Sequence, residues 1–311
     1  MEKYILKRIL WMVVTLLATA FIIFTILYFT PGDPARVMAP GASEADIQVL
    51  RHQLGLDRSY LVQLGDFLYK SFIKLDFGNS YVYKVPVFQE MGNRLPRTLI
   101  IGRSAMLLNL TFGTSLGIFA GTHEGKWQDS ATMAIAMVFV SAPDFWVALM
   151  MIVLFAAKLG WLPAFGIGGP EYYIMPIICA SLGGIAVNAR QTRSSILEVF
   201  REDFVTTARS KGQSEDVVVR KHMLPNALMP IITSVGIGFS RIVAGSAVIE
   251  NVFSIPGVGL YMLSAINNRD YPAIRGSVLF FAAFTAVAML LVDLVYSFVD
   301  PRIKAQYSSR R

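Results

Sequence analysis

Two carboxylates interrupt apolar runs of this 311-residue chain: Asp144, between Pro143 and Trp146, and Asp293, inside the run Val287 to Val299. A carboxylate at the centre of a bilayer costs about 2.5–3.5 kcal/mol, whereas each good apolar residue returns about 0.3–0.6 kcal/mol. Asp293 lies about two helical turns from Asp300, so it sits off-centre and costs less. Ionisable residues in such runs either mark a pathway or are paired. For both aspartates pairing with an arginine, of this chain or of a partner, is the expectation, and a pathway role is the alternative. Arg97 and Arg103 begin another run and can extend toward its boundary. Other chemistry has little support. No Gly-x-x-x-x-Gly-Lys-Ser/Thr phosphate loop occurs, since Gly125-Lys126 is followed by Trp127. His52, His123 and His222 are isolated, so no metal site is expected. No nucleophile elbow or zinc-protease motif stands in an apolar run, which disfavours an intramembrane enzyme.

The most structured polar segment runs from Asp203 to Ala227. Asp203 is placed to cap a first short helix reaching Lys211. Gly212 then suits a left-handed C-terminal position, where glycine avoids the Cβ penalty. Ser214 can cap a second helix. Glu215 and Asp216 in its first turn and Lys221 and His222 in its last suit the helix dipole, and Pro225 closes it. The spacing predicts two short helices at an angle, forming a knob in water; a plain solvated loop is the alternative.

A knob needs a platform, and composition makes it a membrane. The chain is 54% hydrophobic and 16% charged with mean hydropathy +0.53, against about 25% charged in soluble domains. Its apolar residues gather in runs near the roughly 20 residues that cross a hydrocarbon core. The net charge is +7 and the pI about 9.5. The basic residues flank apolar runs, as orientation signals do, so nucleic acid is not an expected partner. Cys179 is the single cysteine, so no disulfide frame exists.

The first run, Ile9 to Thr30, would span about 33 Å as a helix. It reads as an uncut anchor, because the apolar region of a signal peptide covers only about 7–15 residues. Residues 31–95 read as a lobe outside the membrane, with helices over 44–54 and 60–75 and short strands near 80–87. Further spans are expected at 98–121, 132–157, 172–189, 227–249 and 276–299. The 172–189 run holds Pro176 and Gly183-Gly184, which suits a helix packed inside a bundle. Gly236, Gly238 and Gly245 give the 227–249 run a close-approach face. Pro256, Gly257 and Gly259 predict a re-entrant or tightly folded turn over 250–274, with an ordinary loop as the alternative. Six crossings put both ends on one side. Lys3, Lys7 and Arg8, the arginines and lysines of 190–226, and Arg302, Lys304, Arg310 and Arg311 assign that side to the cytoplasm. The organisation is thus an anchor (1–30), a lobe (31–95), a helical core (96–303) and a short tail (304–311).

The 203–226 segment resembles the cytoplasmic "EAA" loop of bacterial ABC import permeases. The triplet position falls on Thr206-Thr207-Ala208, followed by Gly212 and, later, Leu224-Pro225. The acidic first residue of the triplet is absent, which leaves Asp203 or Glu202 to supply a charge. The wording is similar to the dipeptide/oligopeptide permease branch. So are "TPGDPA" (30–35), "LGLDRSYLVQ" (54–63), "LDFGNSY" (75–81), "RLPRTL" (94–99), "LGWLPAFG" (159–166), "ENVFSIPGVG" (250–259) and "DPRIK" (300–304). The long lobe after the first span looks like that of the B-type permease. The resemblance implies an all-α polytopic membrane protein with six transmembrane helices, a type I ABC importer permease bundle in a bacterial inner membrane. It implies a second, C-type permease, two ABC ATPases carrying ATP and Mg, an extracytoplasmic solute-binding protein and surrounding lipid. Asp203, Thr206, Thr207, Ala208, Gly212, Leu224 and Pro225 would then receive motion from the ATPases during alternating access, and a short helix near 261–267 would lie over the pathway. The implied cargo is a dipeptide or oligopeptide, with nickel chelates or glutathione as alternatives. A self-contained channel or secondary transporter is the rival from another class.

Overall fold

A computed structural model describes residues 2–227, 238 and 246–299, with side chains over 5–227, 238 and 246–291. The helices Ile5–Phe29, Val87–Thr122, Glu171–Phe200 and Tyr271–Leu291 are long and apolar enough to cross a membrane. Trp127–Ser141 and Asp144–Lys158 make a fifth crossing if that pair, bent by 98°, is one span. The expected span at 227–249, with Gly236 and Gly245, falls largely outside the described residues, as does the tail. The chain divides into two compact units, residues 1–98 with 256–287 and residues 99–255 with 288–311.

In the first unit the Glu2–Phe29 helix packs on Tyr60–Ile73. Ala20, Phe24, Phe67 and Leu279 form the core, and the Thr25 and Tyr60 hydroxyls meet at 2.7 Å. Between these helices lie Pro34–Met38 and Glu44–Gln53. The first is capped by Asp33, which accepts from the Ala35 N–H, with proline at a position that needs no donor. The second is capped by Ser43, which accepts from the Asp46 N–H at 3.2 Å.

The strands expected near 80–87 do not form. Only an isolated antiparallel bridge joins Asn79 to Pro86, because proline has no N–H to extend a ladder and Lys84 turns the backbone to φ 59°. Asp270, 1% exposed, fixes this loop instead. Its carboxylate accepts from the Ser80 hydroxyl at 2.5 Å and from the Val82 and Ala273 N–H groups, both at 3.3 Å. Arg94 lies between the Tyr83 and Tyr261 rings, 5.1 and 5.0 Å from their centroids, and pairs with Glu90 at 2.9 Å. Burial, and next the charge of Asp270, pushes the Tyr261 phenol up to about 12. Tyr261 belongs to a short helix, Val258–Asn267, which opens with the Val258 N–H donating to Thr98 Oγ1 at 2.9 Å. Arg97 donates to the carbonyls of Asn93 and Pro256.

In the second unit, residues 99–122 run as one helix with a π-helical segment at Asn109–Gly113. It packs on Glu171–Phe200 through a stripe of small residues. Gly113, Gly117 and Gly121 stand against Asn188, Thr192 and Ile196, each set advancing by four, so the two helices run parallel. Asn188 Nδ2 adds bonds to the Asn109 carbonyl at 3.0 Å and Thr114 Oγ1 at 3.2 Å.

Two expectations need correction here. The run expected to cross as one helix over 132–157 breaks at Ala142-Pro143. Proline bars its predecessor from helical geometry, and Ala142 accordingly takes ψ 128°. Asp144 therefore opens the second half of the pair rather than lying within a straight span. The span expected over 172–189 continues as helix to Phe200, and the chain leaves it only at Arg201. Ala189, Thr192 and Ile196 are buried at helical spacing, and that packed stripe carries the helix past the arginines.

Candidate coupling site

The polar segment forms a helix pair with its own core. Asp203–Ser210 is the first helix; Glu215–Val217, widening into a π-helical segment at Val218–Met223, is the second. Val205, Ala208, Val218, Met223 and Ala227 are buried together with Ile196, the base of the preceding long helix. Gly212 turns the chain between them at φ +74°, a backbone that disfavours side chains, and open space surrounds the position its Cβ would take.

Ion pairs brace the turn. Arg209 holds Glu215 at 2.6 and 3.2 Å while stacking on Phe200, 4.1 Å from the ring centroid. The guanidinium keeps the Glu215 carboxyl below its ordinary range. That support is full above the usual glutamate pKa and fades as pH falls through the depressed one, but the exposed pair contributes little. His222 and Gln213 meet at 2.7 Å.

The capping differs from expectation. Glu202, not Asp203, takes the N-cap position, and no side-chain bond caps either helix, although Ser214 does occupy the second cap. Asp203 starts the helix, and its carbonyl accepts from the Thr207 hydroxyl at 2.9 Å. Pro225 does not close the second helix; Leu224 to Ala227 remain helical. The widened turn before it, where Leu224 N–H reaches back to the Val219 carbonyl, gives a proline room that a tight turn denies. Of the resemblance-derived residues, Asp203, Thr206, Thr207 and Pro225 are exposed, Leu224 is half-buried, and Ala208 is buried.

The intramembrane aspartates fare differently. Asp144 is exposed, and among the described residues no arginine of this chain pairs with it, which leaves the partner-arginine expectation untouched; its carbonyl accepts from the Cys179 thiol at 3.4 Å. It opens the helix after the break, and the residues three and four further on, Val147 and Ala148, are apolar and offer its side chain no charge. Asp293 is on the Tyr271–Val299 helix, but its side chain lies outside those described.

A different carboxylate is paired. Asp129, 6% exposed, is gripped by Arg193 through two bonds of 2.5 and 2.7 Å, and accepts from the Gly125 N–H at 3.3 Å. The pair ties Trp127–Ser141 to Glu171–Phe200 immediately before the knob. Sequence reasoning counted Arg193 only as an orientation charge.

Solved structures with the same fold are ABC transporters. One, an inward-facing form of the MetNI methionine ABC transporter, gives a TM-score of 0.58 at 18% identity, covering 68% of this chain and 97% of that one. Another, an amino acid ABC transporter crystallised with histidines, gives 0.51 at 16% identity, covering 66% and 92%. The fold is therefore that of an ABC importer permease. Residues 113–305 match the family described as binding-protein-dependent transport system inner membrane component, and residues 1–102 match its N-terminal membrane component. The chain belongs to that family. It is a multi-pass permease of the inner membrane, and ATP hydrolysis resides in partner ATPases. Over 307 residues it is 38% identical to the glutathione transport system permease protein GsiC of Salmonella choleraesuis, covering 98% of this chain and 99% of that protein. The GsiC of Escherichia coli strain K12 is 36% identical over 305 residues, with the same coverage.

Proposed function

We propose that this permease imports short peptides, with glutathione the leading cargo, and takes its driving motion through residues 203–225. The observation that carries the coupling role is the knob itself: a polar helix pair whose core is shared with Ile196, so that it is seated on the end of the long Glu171–Phe200 helix. Asp203, Thr206 and Thr207 supply its exposed polar face, Ala208 anchors it from beneath, Gly212 shapes its turn, and Leu224 and Pro225 form its exit. A stiff body of this kind transmits a push instead of yielding to it. The full-length likeness to permeases named for glutathione supports that tripeptide over longer peptides or nickel chelates. The chain's termini and knob face the cytoplasm, as the positive flanks require. One further permease, two ATPases bearing ATP and Mg, and a solute-binding protein complete the assembly.

Replacing Gly212 with tryptophan tests the coupling. The backbone strain is about 1–2 kcal/mol, small enough to leave the protein inserted, and the ring projects into open space where an ATPase would seat. We expect uptake to fall to background with membrane levels unchanged and ATP hydrolysis no longer driving uptake. Wild-type uptake would remove 203–225 from the mechanism.

Cargo is tested in cells lacking their own glutathione importers. Labelled glutathione should accumulate when the permease and its partner subunits are expressed, with excess dipeptide competing weakly. Dipeptide uptake without glutathione uptake would reverse the assignment.

A further inference from the structure

The first unit holds a cavity of about 280 Å³ whose walls include Tyr28, Asp33, Arg51, Tyr81, Tyr271 and Arg275. It lies where the first crossing helix ends and the last begins, since Ile5–Phe29 and Tyr271–Leu291 both count as crossings. Such helix ends lie at the edge of the hydrocarbon core, which is the depth of lipid phosphates. Tyrosines cluster at that depth generally, because their rings favour the apolar side and their hydroxyls the wet side.

Arg275 is the unusual member. Its guanidinium lies over the Phe67 and Phe24 rings, 5.1 and 5.8 Å from their centroids, and its Nε donates to the Tyr271 carbonyl at 3.3 Å. Among the described residues no carboxylate pairs with it. A guanidinium presents five donors, and two aromatic faces with one carbonyl leave most of them unanswered. Asp33 is already engaged by Arg51 at 3.2 Å, with Arg36 at 3.9 Å. Burial raises the Tyr81 phenol above its ordinary value, so it stays protonated and adds an O–H donor to the same wall.

We propose that this cavity binds the phosphate of a phospholipid headgroup, with Arg275 as its principal ligand and Tyr81 as a second donor. A bound lipid would give Arg275 an anionic partner and would fasten the lobe to the bilayer edge.

The test uses the full chain with its partner subunits, extracted in mild detergent, with retained phospholipid measured by native mass spectrometry. The wild type should keep a phospholipid through washing that millimolar inorganic phosphate does not displace. Losing charge-assisted bonds in Arg275→Gln should weaken retention by about tenfold, and Arg275→Lys should restore part of it. Should Arg275→Gln not accumulate, Tyr81→Leu replaces it, with weaker retention expected. Equal retention in wild type and variants, or displacement by free phosphate, overturns the proposal; the latter makes the cavity a site for a soluble anion.

Discussion

Replacing Gly117 with leucine should leave almost no folded permease in the membrane. Gly117 faces Thr192 and the Ala189 carbonyl across a helix contact so close that a single Cβ would lie on the Thr192 side chain and 2.5 Å from that carbonyl oxygen. A backbone oxygen cannot step aside as a flexible side chain does. The Glu171–Phe200 helix would have to shift bodily, losing the matched contacts at Gly113 and Gly121. Within lipid no hydrophobic force between helices compensates, because tails are as apolar as leucine, and close packing is what holds helices together. Alanine should already cost about 1–3 kcal/mol, the range for overpacked sites, and leucine more. Fluorescence-detected size exclusion and thermal unfolding check this. Gly183→Ala serves as the control, since its Cβ would meet nothing within 4 Å. Gly117→Leu with normal yield and melting would mean the contact is not as drawn.

The second large effect is at Asp129. Asp129→Ala should destabilise the protein by about 3 kcal/mol, because it leaves the partly buried Arg193 guanidinium without its carboxylate. Replacing both residues with leucine should recover much of that loss, since an apolar pair of similar volume avoids desolvating two charges. A double-mutant cycle on thermal stability measures the coupling. Additive single effects would show that the two side chains do not depend on one another.

Much of this architecture was legible. The apolar runs stand out because each crossing must satisfy its backbone internally and so must be long and helical. Gly212 was legible because few residues tolerate its backbone angle. The stripe Gly113, Gly117, Gly121 carries the same close-approach signal at a spacing of four. The bend beside Pro143 was also written in the residue pair. Other features had no local signature. Asp129 and Arg193 are 64 residues apart, and nothing in either neighbourhood names the other. Asp144 looked destined for an arginine because burial of a charge demands one, yet it is exposed on this chain. The π-helical segments depend on a shift of hydrogen-bond partner that no residue type specifies.

The widened turn at Asn109–Gly113 has a consequence for the helix beyond it. Each such turn holds the equivalent of one surplus residue, and in a helix of 3.6 residues per turn that rotates everything downstream by about 100°. The glycine stripe that follows is aimed at Thr192 only after this rotation. Chain length through 109–113 therefore sets an azimuth, and a sequence one residue shorter there would keep every glycine while pointing all of them elsewhere.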